Sequence, residues 1–141
     1  MRILALDVGT KRIGVAMSDE LFITAQGLET IYRHDIKADI ALIEDIVKTG
    51  GVSEIVVGLP LNMNGSYSAK TKEVIEFMDI LSKAVSVPVK TWDERLTTVQ
   101  AERTLLEADI SRAKRKKVAD KLAAQIILQS YLDSRARGHN V

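Results

Sequence analysis

The chain has 141 residues, 46% of them apolar and 28% charged, with a formal net charge of +1. Those proportions suit one globular domain spanning 1–141, long enough to bury roughly 68–70% of its unfolded surface. Cysteine is absent and the only histidines are His34 and His139, which excludes disulfides, thiolate catalysis and cysteine-based zinc sites and argues against a histidine-rich metal centre.

Ile3 to Leu6 is the only apolar run before Asp7. It is too short for a signal peptide, and no later stretch could span a membrane, so the expectation is a cytoplasmic protein with no membrane partner. The charge is uneven along the chain. Residues 1–84 carry nine basic and twelve acidic side chains, whereas residues 85–141 carry eleven and seven. Most of the second-half excess is Arg112, Lys114, Arg115, Lys116 and Lys117. Such a run is either a solvated segment or a contact for a polyanion, since clustered Lys and Arg neutralise phosphates.

In chain order, RILALDVG (2–9) is apolar on both faces, as a central strand should be. GTK (9–11) turns the chain, and RIGVAMSD (12–19) runs back as an antiparallel partner. FITAQGLETIYR (22–33) forms a third strand, bent at Gly27. Residues 36–48 place Ile36, Ile40, Ile43 and Val47 at helical spacing, and Gly50–Gly51 stops that helix. SEIVVGL (53–59) is a β-branched buried strand ended by Pro60, and LNMNGSYS (61–68) is a loop. Residues 69–84 form a second amphipathic helix with Val74, Ile75, Met78 and Leu81 inward. VPVKTW (87–92) is a strand, 97–108 a helix and 113–136 the final helix. Three antiparallel strands followed by parallel additions give an α/β fold, one mixed five-stranded sheet flanked by helices.

On the final helix, Asp120 faces the wrong way. At 100° per residue it falls between Ile127 and Tyr131, near Ala123 and Ala124, while Lys121, Gln125 and Gln129 gather opposite. An ionised carboxylate aimed into a core costs several kcal/mol or more unless it is paired or coordinated. Asp7 and the Asp93–Glu94 pair end two apolar strands, at the carboxyl ends where open α/β sheets bind ligands. Three separated segments thus deliver acids to one end of the sheet. Hard cations such as Mg²⁺ or Mn²⁺ take carboxylate ligands, and two held about 4 Å apart can support phosphodiester hydrolysis. The competing reading has Asp7 capping a turn, Glu94 in a surface pair and Asp120 bound to a buried Arg or Lys.

ALDVGTKRIGVAMSD (5–19), VVGLPLNMNGS (56–66), DERLTT (93–98) and KKVADKLAAQIILQSYL (116–132) resemble the four blocks of the YqgF family, in order and over almost the whole chain. These are small bacterial proteins described as Holliday-junction resolvases and as the nuclease that matures the 5′ end of pre-16S rRNA. The resemblance implies an RNase H-like fold related to the RuvC resolvases. It also implies a metal-binding set of Asp7, Glu94 and Asp120, with Asp7 bridging two ions and the others holding one each. Lys11 and Arg12 match the family's K-R-I-G block and would contact substrate phosphates, or simply serve a hairpin turn. Arg95 stands where a backbone contact is expected. Thr97 and Thr98 read better as a helix cap.

The family loop usually reads N-M-D-G, and here Asn64 replaces the acid; Asn62 and Asn64 are still candidates for substrate contact, with Lys116 and Lys117 on the basic run. Asn supports a tight turn as readily as Asp. Trp92 and Tyr131 read as packing residues. The resemblance implies nucleic acid as the partner: pre-rRNA, together with ribosomal particles, or branched DNA in recombination and repair, the latter calling for a homodimer. Two other classes compete. D-V-G-T-K is similar to the phosphate loop of actin-like ATPases, which need a second, duplicated domain. A non-catalytic RNA-binding assembly factor could keep the fold and cleave nothing.

Overall fold

The computed structural model describes residues 1–96 and 112–138, the side chains of 112–121 and 137–138 excepted. The expected helix over 97–108, with Thr97 and Thr98, and His139 lie outside the described residues. Among the described residues, six strands form one sheet: β1 (Arg2–Val8), β2 (Arg12–Ser18), β3 (Ala25–Gly27), β4 (Ile31–Tyr32), β5 (Val52–Leu59) and β6 (Val89–Asp93). Their order is β3-β2-β1-β5-β6, with β4 also on β2. β2 runs antiparallel to β1, and β5 and β6 are parallel additions on its other side. The expected third strand therefore exists in two pieces on one edge. Residues 28–30 separate the pieces: Leu28 N still donates to Val15 O in register with the β2–β3 pairs, and the register then slips by one residue to Ile13↔Ile31, as at a β-bulge.

β1 is central because both of its faces are apolar: Ile3, Leu4, Ala5 and Leu6 are fully buried. Leu4, Leu6 and Val8 point to the face covered by α1 (Ile36–Gly50) and α2 (Ala69–Ala84). Ile3 and Ala5 point to the face covered by α3 (Arg112–Gly138), through Ala124, Ile127, Leu128 and Leu132. Each fully buried side chain of this size contributes about 1.5–3 kcal/mol. No helix among the described residues is long and apolar enough to cross a membrane.

Caps set the helix bounds. Asp35 accepts from Ala38 N at the start of α1, and Gly51 ends that helix in the left-handed conformation at φ 63°, where a Cβ would be strained. Ser68 and Thr71 form a reciprocal capping box on α2, and the Thr71 hydroxyl also donates to Pro60 O. Two inward assignments need correction. Ile36 is exposed because it opens α1 ahead of the covered stripe, and on α2 Phe77 is buried where Ile75 is not. The α2 stripe runs Thr71, Val74, Phe77, Leu81 because the capping Thr71 pulls the first turn onto the sheet.

The polar side of α3 is not a solvent face either. Gln129 accepts from Ala25 N at 3.1 Å and donates to Ile23 O at 3.0 Å, while Gln125 donates to Ala25 O at 3.1 Å. These amides satisfy the open edge of β3, which would otherwise expose unpaired backbone groups. Tyr131, expected as plain core, is half-buried and donates to Glu54 Oε1 at 2.6 Å. Lys90 Nζ meets the same carboxylate oxygen at 2.7 Å. Burial works to raise the Glu54 pKa, but the bonds from Lys90 and Tyr131 prevail and hold it below the ordinary value. α3 is thereby tied to β5 and β6.

Candidate active site

Asp7 is the penultimate residue of β1, and Glu94 opens a short 3-10 turn directly after β6. β5 lies between those strands, so their backbones are roughly 10 Å apart at the usual inter-strand spacing. The two side chains nevertheless come close enough for Asp7 to act on the Glu94 carboxyl. Gly58 of β5 makes this possible. A Cβ there would lie 2.9 Å from Glu94 Oε1 and 2.6 Å from Ile127 Cδ1. The carboxylates meet over the bare backbone of the intervening strand, beneath α3.

The electrostatics follow. The Glu94 carboxyl is pushed up to about 8, first by burial, then by its hydrogen bond to Asp7 and by the charge of Asp7, with Asp93 adding to the effect. Lys70 opposes the rise. Two adjacent carboxyls that cannot both ionise are held together by a shared proton or by a cation. Asp93 is diverted from this pair. Its carboxylate takes Arg95 Nη2 at 2.6 Å and Arg95 Nε at 2.9 Å, and that fork holds its pKa below the ordinary value. Of the two successive acids, only Glu94 reaches Asp7.

The remaining candidates divide by position. Arg95 also donates to Met63 O at 3.1 Å, pinning the 61–67 loop to the end of β6. Asn62 and Asn64 are exposed, yet both build that loop: Asn62 Nδ2 donates to Ser66 Oγ, and Asn64 Oδ1 accepts from Ser66 N at 3.0 Å and from its hydroxyl at 2.6 Å. Lys11 is exposed in the β1–β2 turn and Arg12 is half-buried at the start of β2. Asp120, Lys116 and Lys117 lie on the α3 backbone, and their side chains are outside the described residues. Among the described residues, no group of three or more acids or histidines gathers as a metal would require.

Trp92 packs edge-on against Tyr131, with ring centroids 5.9 Å apart. Its indole nitrogen is buried, with no hydrogen-bond partner among the described residues. Lys70 escaped the sequence reading. Its Nζ lies 3.5 Å from Thr10 Oγ1, and it is the cation that acts on Glu94. A signal was present: α2 has no acid in its first turn, where acids are favoured, and carries Lys70 and Lys72 there instead. Gly58 was missed too, since a glycine in a strand interior reads as a weak spot unless something approaches it closely.

Comparison with known proteins gives the family and the fold. The family model described as RuvX, Holliday junction resolvase, matches residues 1–134. A protein of Clostridium novyi provisionally named pre-16S rRNA nuclease is 54% identical over 134 residues, covering 95% of this chain and 99% of its own. One of Caldanaerobacter subterraneus, named the same way, is 58% identical over 135 residues, covering 95% and 97%. Among solved structures, Thermus thermophilus RuvC in complex with a Holliday junction substrate superposes with a TM-score of 0.60 at 16% identity, over 96% of each chain. That likeness establishes the fold as RNase H-like α/β.

Proposed function

The chain belongs to the RuvX family, and from that membership we propose that it is a divalent-metal-dependent nuclease that matures the 5′ end of pre-16S rRNA. It would act as a single nuclease domain over 1–141, in the cytoplasm, on precursor RNA within ribosomal particles. The carrying observation is the Asp7–Glu94 pair, with Glu94 reaching over the bare backbone of Gly58 to where Asp7 acts on it, in a chain more than half identical to proteins provisionally named for that activity.

The donor set fits a hard cation. Two carboxyls brought together at the sheet end, one of them mostly buried and raised to about 8, are unfavourable as a bare dianion and suit Mg²⁺ or Mn²⁺. Asp7 and Glu94 would hold the metal, joined by Asp120 from α3. Asp120 stands two helical turns before Ile127, whose side chain already lies over Gly58. Such an ion supplies positive charge against the negative charge that builds on the phosphate during hydrolysis. The protein's own groups do the rest. Lys70, Lys11 and Arg12 offer cations to the substrate phosphates, with Lys116 and Lys117 extending the basic rim. Arg95, held by Asp93, fixes the 61–67 loop beside the site and keeps Asp93 from competing with Glu94.

A second reading is resolution of branched DNA by a homodimer, favoured by the description of the matching family. Cleavage of a precursor rRNA 5′ segment and of a synthetic four-way DNA junction, each with Mg²⁺ or Mn²⁺ and with Asp7→Asn as control, separates the two. The expected result is cleavage of the RNA, abolished by the substitution. Symmetric nicking of the junction alone would replace the ribonuclease with a resolvase, and no cleavage of either would favour a binding or assembly role.

A further inference from the structure

The loop from β5 to α2 carries a side chain with nothing to pack on. Among the described residues Met63 is the most exposed large apolar side chain, at 89%. A lone exposed apolar residue needs no account on an ordinary surface, but the backbone beneath this one is fixed in detail. Asn62 to Gly65 form a β-turn closed by Gly65 N donating to Asn62 O at 2.8 Å, with Met63 and Asn64 at its centre. Asn62 N donates to Ser66 O at 3.0 Å, and Leu61 pairs with Tyr67 across the neck of the loop. Gly65 is left-handed at φ 86°, a conformation that a side chain would strain. The loop is anchored on both sides, by the Thr71 hydroxyl on Pro60 O and by Arg95 Nη1 on Met63 O at 3.1 Å.

The second anchor sets the position. Arg95 directly follows Glu94, and the fork to Asp93 fixes its guanidinium. Met63 is therefore bound, through its backbone, to the residue next to the carboxyl on which Asp7 acts, while its side chain projects into solvent. Successive nucleotides of a stacked strand are about 3.4 Å apart, so a strand whose phosphate reaches that pair passes the turn within a few steps. The tip offers that strand little charge. The Arg95 guanidinium is turned to Asp93 and Met63, and the side chains of Asn62 and Asn64 are turned to Ser66. What remains is the unbranched, polarisable thioether chain, which packs well against aromatic rings. Apolar side chains inserted at a base step partly unstack it and kink the strand.

We infer that Met63 is a wedge for the substrate: it enters a base step beside the reacting phosphate and opens the stack, so that the strand bends into the Asp7–Glu94 site. The inference rests on the nuclease reading and adds how a paired strand is opened there. Because the turn is built before any ligand arrives, no loop has to be ordered when the wedge enters.

The test compares the unchanged chain, Met63→Ala and Met63→Leu on the precursor rRNA 5′ segment and the four-way DNA junction. Each substrate is made fully paired around the cut, or pre-opened by an abasic site at a step flanking it. Cleavage is followed with Mg²⁺ or Mn²⁺. Unstacking is read from 2-aminopurine at the same step, with each protein carrying Asp7→Asn so that the strand stays intact. Met63→Ala is expected to slow cleavage of the paired substrate about tenfold and to remove the rise in 2-aminopurine fluorescence on binding. The pre-opened substrate should be cleaved at the unchanged rate, and Met63→Leu should keep both signals. Equal slowing on paired and pre-opened substrates would overturn the wedge, as would unchanged cleavage and fluorescence in Met63→Ala, and either result leaves the nuclease reading intact. Failure of the unchanged protein to cleave any of the substrates would overturn both.

Discussion

Glu94 occupies the space that a side chain at Gly58 would need: its Oε1 lies 2.9 Å and its Cγ 3.0 Å from where a Cβ would stand. A strand-interior glycine thus serves as the gap through which one carboxylate reaches another two strands away. Gly58→Ala is expected to reduce cleavage by an order of magnitude or more and to destabilise the fold by about 1–3 kcal/mol through overpacking. The two effects separate in a double variant. Ile127→Val removes the Cδ1 atom that crowds the new methyl at 2.6 Å, so Gly58→Ala/Ile127→Val should recover melting temperature without recovering cleavage. Recovery of both would mean that Glu94 is not displaced.

Asp120→Asn should abolish metal-dependent cleavage with little change in thermal stability, as should Asp7→Asn. A carboxylate that serves a cation is dispensable for packing, and the amide keeps its volume. Circular dichroism melting alongside cleavage assays checks this, and unchanged turnover would remove Asp120 from the site.

The metal-free protein should lose stability as pH rises. Glu94 has an ordinary value of 4.5 and is pushed up to about 8 in the fold. The folded state therefore holds a proton that the unfolded chain releases. The associated stability is fully present below about pH 4.5 and is lost as pH rises through about 8. Melting temperatures in a chelator should fall by several degrees across that window, and Glu94→Gln should flatten the fall. Added Mg²⁺ or Mn²⁺ should raise stability most at the alkaline end, where the pair is most ionised. A wild-type profile identical to that of Glu94→Gln would refute the shared carboxyl.

Lys70→Met should slow cleavage about tenfold and lower the salt dependence of nucleic-acid binding by about one ionic contact. Lys70→Arg should retain much of both. If the lysine only balanced the local acids, its loss would change the metal-free pH–stability profile and leave the salt slope untouched, so the slope is the deciding measurement.

Much of this protein is a matter of local pattern, and local pattern is legible in a sequence. The doubly apolar β1, the Ile40–Ile43–Val47 stripe, the Gly51 stop and the bounds of α2 each follow from residues a few positions apart. So did the isolation of Asp7 and the Asp93–Glu94 pair, because acids ending apolar strands stand out without any partner in view. What tertiary structure decided is which distant groups meet. Nothing local says that Gly58 clears the path between Asp7 and Glu94, that Asp93 turns aside to Arg95, or that the glutamines of α3 close the edge of β3. Nor does it place Lys70 beside Thr10, or lock Arg33 against the buried Asp39. Sequence periodicity fixes the face a side chain takes on its own element, whereas strand order and register fix what it finds there. The chemistry of the site depends on the second.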